Sequence, residues 1–295
     1  TGTGSATTGA FSWLYTTSTA IQAVGNSAGA AIGTANLGTS QLRQYNTQLT
    51  YTNSPCTGTP APGNTLAPAT VCDGASVPLS LQNATIGTGV TYQWYMNAVA
   101  ISGAISSTYT IPSLTASASY YCEVTCGGNT VASNPVLLNP SIVSALPWTE
   151  GFEGLAIGND IFPSCWGFAN TSSVWNIETT PVANTGVNSL GRTWSTDGWA
   201  FTPSMALTAG TSYRFSYYMR TQDTTVGYDV TTAVGNGKTA LDMTTTLGTP
   251  LTGYQGPSWN KFNFEFTPTA TGNYTFGIHV VAPNPPNGIN FDDFT

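Results

Sequence analysis

The chain has 295 residues and a net charge of −7, and only 6% of it is charged, against roughly 25% in ordinary soluble domains. Its six basic residues (Arg43, Arg192, Arg214, Arg220, Lys238 and Lys261) are scattered, so no basic patch for nucleic acid or anionic lipid can be assembled. No apolar run reaches the roughly 18–20 residues that span a bilayer. The apolar fraction of 40% suffices for sizeable cores. The polar surface is left to Thr, Ser, Asn and Gln, and abundant Thr favours strands because its branched Cβ fits a pleated sheet.

Helix signals are nearly absent. Gly and Pro recur about every 8–12 residues, with alternating segments between them, a pattern of sandwich or barrel strands. Residues 1–55 form a β-rich segment with strands at Phe11–Tyr15 and Gln48–Thr52. The Ala-rich stretch Ala20–Leu37 is interrupted by Gly25, Gly29 and Gly33 and is read as strands and loops. This segment is a small domain, the tail of one, or an arm that completes a neighbouring copy's sheet. The opening at Thr1 without a leader marks a mature product or a fragment.

Residues 56–140 read as a second unit. A Pro- and Gly-rich lead-in precedes strands at Val77–Gln82, Thr91–Met96, Thr108–Ile111, Ser119–Cys126 and Asn134–Leu138. After a short connector, residues 148–295 form a third unit. Its strands fall near Trp199–Phe201, Thr211–Met219, Tyr228–Val234, Asn260–Thr267 and Gly272–Val281. The fold class expected is all-β.

The second unit carries Tyr92-Gln93-Trp94-Tyr95, with Trp94 at a core strand C position, and Tyr120-Tyr121-Cys122, with Tyr120 two residues before the cysteine. It resembles the immunoglobulin-like repeats of large Bacteroidetes surface proteins. Leu81 stands where an antibody-type domain has its strand B cysteine, so that disulfide cannot form. The chain has five cysteines and no C-x-x-C pair, which fits an oxidising compartment with two disulfides. Strand topology suggests Cys72 with Cys122 and Cys56 with Cys126, among three connectivities for these four. Cys165 is left as a buried thiol or bonded elsewhere.

The third unit carries Glu150-Gly151-Phe152-Glu153, Phe162-Pro163-Ser164-Cys165-Trp166, Trp199-Ala200-Phe201-Thr202-Pro203, Gly272-Asn273-Tyr274-Thr275-Phe276 and Phe291-Asp292-Asp293. In order and spacing these resemble the cleaved-adhesin jelly rolls of Bacteroidetes surface proteins and, more distantly, MAM-type domains. The resemblance implies a calcium ion held by Glu153 and Asp293, with Asp292 and Asp160 as further candidates. Carboxylates and carbonyls are the hard oxygens Ca²⁺ requires. The alternative is that the end strands simply finish in solvated carboxylates.

For a sugar ligand the candidates are Trp194 and Arg192, in a Gly- and Ser-flanked loop that would present a ring to solvent. Asp223-Thr224-Thr225 fits the Asp-Ser/Thr pattern of Bacteroidetes O-glycosylation, making Thr224 a candidate. Catalytic motifs are missing: the single histidine, His279, lies in a strand without triad context, and there is no His-Glu-x-x-His or phosphate loop. No catalytic residues are expected, and the chain is read as non-enzymatic.

The expectation is an extracellular adhesin segment, a spacer followed by a calcium-stabilised jelly roll that contacts glycans or surface proteins. Export by the type IX system is implied by the resemblance, and the chain is expected to continue beyond its last strand. Two alternatives are a filament or sheath subunit that joins copies of itself by strand addition, and a carbohydrate-binding accessory region of a secreted enzyme.

Overall fold

The structure, a computed structural model, describes residues 22–24, 48–50, 54–169, 175–179, 183–192, 197–222, 227–281 and 288–295. It is an all-β protein. The chain forms two compact units that interleave in sequence. One comprises residues 1–66, 80–109 and 120–136, and the other residues 67–79, 110–119 and 137–295.

Strands β1 (Gln22–Val24) and β2 (Gln48–Thr50) pair antiparallel, Gln22 opposite Thr50. The expected strand at Gln48–Thr52 is thus present, while Phe11–Tyr15 lies outside the described residues. Strands β3 (Thr65–Leu66), β4 (Ala75–Leu81), β5 (Thr91–Met96), β6 (Val99–Ala100), β7 (Tyr109–Leu114), β8 (Ala118–Cys126), β9 (Asn129–Ala132) and β10 (Val136–Leu138) follow. In the first unit β5 pairs with β6 on one side and β8 on the other, and β8 also pairs with β9. Strand β8 alternates as its sequence predicts, burying Tyr120, Cys122, Val124 and Cys126 on one face. Trp94 is fully buried, its indole N–H donating to the Ser106 carbonyl at 2.9 Å.

The second unit is a double-sheet sandwich. Its strands are β11 (Gly158–Asn159), β12 (Gly167–Ala169), β13 (Trp175–Thr179), β14 (Asn188–Arg192), β15 (Asp197–Phe201), β16 (Met205–Leu207), β17 (Tyr213–Thr221), β18 (Tyr228–Gly235), β19 (Thr245–Tyr254), β20 (Asn260–Phe266), β21 (Gly272–Val281) and β22 (Ile289–Asp292). One sheet runs β11-β13-β14-β22-β17-β20. The other runs β12-β15-β21-β18-β19, with β16 added to β21. Trp175, Ile177, Leu190, Phe291, Tyr217 and Met219 from the first sheet join Ala200, Val230, Phe276, Ile278 and Val280 from the second in one core. Phe152 and Phe294, from the two ends of the unit, meet edge to face at 5.7 Å within it. Rings set in this way add to what burial alone contributes.

The sequence concealed one long strand. Thr245–Tyr254 carries Gly248 and Gly253, both at positive φ, together with Pro250. These residues suit it because β19 is an edge strand with register shifts against β18. Proline is tolerated at such edges, where its missing N–H breaks no ladder.

Cys56 and Cys126 are bonded as expected, with Cα atoms 5.5 Å apart. The pairing of Cys72 with Cys122 is corrected. Cys72 is bonded to Cys165, Cα–Cα 5.2 Å, and Cys122 is a buried free thiol. Residues 67–79 belong to the sandwich unit: Cys72 bridges Ser141, whose N–H donates to the Val71 carbonyl, and Asn273 Nδ2 donates to Asp73. These contacts bring Cys72 to Cys165, which is therefore not the free thiol that the sequence suggested. Among the described residues, no helix is long and apolar enough to cross a membrane.

Candidate functional site

The two ends of the sandwich unit meet at an isolated bridge between Glu150 and Phe294, closed by reciprocal backbone hydrogen bonds of 3.0 and 2.9 Å. Beside this closure lie three of the four acids named from the sequence, Glu153, Asp292 and Asp293. Phe152 and Asp293 both take left-handed backbone conformations, φ 62° and 48°, uncommon for side-chain-bearing residues and frequent at functional sites. The Phe152 turn sends its ring into the core and releases Glu153 outward.

Glu153 accepts the Val187 N–H on both oxygens and the Asn188 N–H at 3.1 Å. Asp292 accepts the N–H groups of Asn184 and Asp293 at 2.7 and 2.8 Å, and that of Thr185 at 3.3 Å. Asn184 Nδ2 and the Thr185 hydroxyl donate to the two oxygens of Asp293. A Cβ placed on Gly151 would lie 3.6 Å from Asp293 Oδ1, 3.9 Å from Asp292 Oδ1 and 4.0 Å from Glu153 Cγ. Two carboxyl oxygens and the Glu153 methylene thus lie around one point of the backbone, and the Glu153 carboxylate turns to the N–H groups of Val187 and Asn188.

None of the three has an ion-pair partner among the described residues. Asp292 is fully buried, and burial pushes its pKa up to about 6 even though backbone N–H bonds pull the other way. Glu150 is likewise raised by burial. Asp160 is not brought to this cluster. It is exposed, and its N–H bonds the carbonyl of Trp175, at the opposite end of β13 from the loop that holds Glu153. Along a strand that separation is roughly 13 Å. Among the described residues no three acid, His or Cys side chains are already set as metal ligands. The donors are nevertheless hard oxygens around uncompensated negative charge, which is chemistry that suits Ca²⁺.

The sugar candidates fare differently. Gly191 and Arg192 are not in a loop but end β14, where Arg192 faces inward and is 2% exposed. Its guanidinium lies 5.6 Å from the Trp175 ring centroid, and burial lowers its pKa to about 10. It is not a surface sugar contact. Trp194 and Thr224 lie outside the described residues. His279 is half-buried, stacks on Trp199 at 4.5 Å and pairs with Asp197 Oδ1 at 2.5 Å.

One surface was overlooked in the sequence: the outward face of the sheet that contains β13, β14, β22, β17 and β20. Register aligns Asn176, Gly191, Asn290 and Arg220 in one row, with Trp259 just before β20. The adjacent row holds Glu178 with Ser189, and Tyr218 between Asp292 and Lys261. Glu178 leans over Gly191, where a Cβ would meet its Cδ at 2.5 Å. Its carboxylate accepts amide hydrogens from Asn176, Gln222 and Asn290 at 2.8–2.9 Å. The available signal was the period of two in Tyr217-Tyr218-Met219-Arg220, whose odd members are core and whose even members face out.

Residues 59–140 match the family described as "Ig-like domain CHU_C associated". No curated protein matches the chain. Among solved structures it is similar to the K1 cleaved adhesin domain of Lys-gingipain from Porphyromonas gingivalis W83, with 16% identity and a TM-score of 0.40 over 50% of this chain and 95% of that one. The K3 cleaved adhesin domain of the same protein gives 13% and 0.41, over 51% of this chain and 98% of that one. The CBM22-1 xylan-binding domain from Paenibacillus barcinonensis Xyn10C gives 15% and 0.35, over 52% and 94%.

Proposed function

We propose that the chain is a non-catalytic segment of an extracellular surface adhesin, its immunoglobulin-like part a spacer and its jelly roll a binding domain closed by calcium. The observation that carries the reading is the acid cluster beside Gly151, where the Asp292 and Asp293 carboxylates adjoin the Glu153 side chain and no ion-pair partner is found for them among the described residues. In this reading Glu153, Asp292 and Asp293 hold the ion, with backbone carbonyls completing its shell of six to eight oxygens. The ion neutralises charge that the fold has desolvated. Extracellular calcium modules work at dissociation constants of about 0.1–1 mM, within reach of a site this polar. Support for the extracellular setting comes from the two disulfides and from the immunoglobulin-like match. Glycans or surface proteins are the proposed partners, with export by the type IX route.

Thermal unfolding in calcium and again in chelator tests the ion. At one hundred times the dissociation constant, calcium should stabilise by about 2.7 kcal/mol. An unchanged transition would remove calcium from the reading. A broad glycan array, probed under both conditions, tests the partner. Binding to a defined sugar class supports the adhesin, whereas silence from a demonstrably folded chain leaves it a spacer.

A further inference from the structure

The outward sheet face carries two cations, Arg220 and Lys261, that make no ion pair among the described residues. Of the basic residues described, Arg192 is buried under Trp175, Arg214 pairs with Glu265 at 2.7 Å, and Lys238 donates to the Cys165 carbonyl. The remaining two, Arg220 and Lys261, lie on neighbouring strands of this face, and neither has an ion-pair partner among the described residues. Each sits over an aromatic ring: Arg220 Cζ is 6.0 Å from the Trp259 centroid, and Lys261 Nζ is 5.5 Å from that of Tyr218. Of the acids on this face, Asp292, opposite Tyr218, is held by backbone N–H groups rather than by either cation.

The same strip carries unmet hydrogen-bonding capacity. Arg220 Nε and Trp259 Nε1 at the β17–β20 edge, and Asn176 Oδ1 on β13, are buried and have no hydrogen-bond partner among the described residues. Such atoms cost free energy unless something bonds them. Glu178 does not quench the cations, because three amides already hold its carboxylate.

We propose that this strip binds a carboxylate-bearing sugar, the carboxylate lying between Arg220 and Lys261 and the pyranose ring against Trp259 and Tyr218. Arg220 and Trp259, neighbours at the β17–β20 edge, flank the sugar. This rests on the glycan-binding reading and names its ligand class and its site. Hexuronate polymers and sialylated glycans share this chemistry, and the test separates them.

The experiment measures binding of the full chain, by calorimetry in calcium, to oligogalacturonate, to sialyllactose and to carboxyl-reduced versions of each. Either acid should bind at least about tenfold tighter than its reduced form, the loss of one charge-assisted contact, and the arm that binds identifies the source. Arg220→Gln and Lys261→Gln, each checked for an unchanged melting transition, should lose about tenfold for the acid and little for the reduced sugar. Equal affinity for acid and reduced forms, or full acid binding by both variants, overturns the proposal while glycan binding stands. No binding by the folded chain to these sugars or to any glycan of a broad array overturns both.

Discussion

Replacing Cys72 and Cys165 together by Ser opens a loop with a sequence separation of 93 residues. In the chain-entropy description, closing a loop of that length removes about 16 cal/mol/K from the unfolded state, or about 4.6 kcal/mol at 25 °C. The Cys56–Cys126 bridge, with a separation of 70, works out at about 4.4 kcal/mol by the same relation. The two double variants should therefore be destabilised almost equally. Cys122→Ala should cost only about 1 kcal/mol, since it removes a buried sulfur and no crosslink. Guanidinium unfolding under non-reducing conditions measures all three. A loss below about 1 kcal/mol for the Cys72/Cys165 pair would refute the entropic argument. A non-reduced peptide map linking Cys72 to Cys122 would refute the assignment on which it stands.

Gly186 sits at φ +62°, and a Cβ there would meet Glu153 Cδ at 2.3 Å. Gly186→Ala should cost about 1–3 kcal/mol in thermal unfolding, more than Gly253→Ala, whose φ of +61° is similar but whose Cβ position is open. The Cys122 thiol, fully buried and pushed up to about 11, should ignore a thiol reagent at pH 8 in the native protein and react as one equivalent per chain in denaturant. In chelator, the raised Asp292 pKa means that the folded chain holds a proton which the unfolded chain releases near pH 4. The contribution of Asp292 to stability should therefore be fully present below pH 4 and be lost as pH rises towards 6. The fall should be about 1–3 kcal/mol after allowing for solvent screening, and Asp292→Asn should abolish it in a pH series of melting curves.

Local pattern was legible and distant approach was not. The inward set on β8 followed from alternation, because one face of that strand must be buried, and five of the twelve sandwich strands, β15, β17, β18, β20 and β21, were located from the sequence. Glu153, Asp292 and Asp293 were named from the sequence, and all three stand around Gly151. Asp160 was named beside them as a further candidate implied by the resemblance; the register of β11 on β13 puts it at the far end of the sheet. Arg192 was read as a loop residue because glycine and serine flank it. Gly191 instead serves to admit the Glu178 side chain over the strand. The Cys72 assignment failed because it depended on residues 67–79 folding against a sandwich that begins some seventy residues later, which no local rule encodes.

The Cys72–Cys165 bond also sets how far the molecule can be stretched. Tension entering at Cys72 passes through sulfur directly to Cys165, so the intervening chain carries none of it. At about 3.3–3.6 Å per extended residue, roughly 300 Å of potential slack is withheld. The Glu150–Phe294 closure is a contrasting element. Its two backbone bonds join antiparallel neighbours, so a pull on the ends of the sandwich opens them in succession, as a zipper does. Under load the covalent bridge limits extension, and the hydrogen-bonded seam sets the force at which the sandwich begins to open.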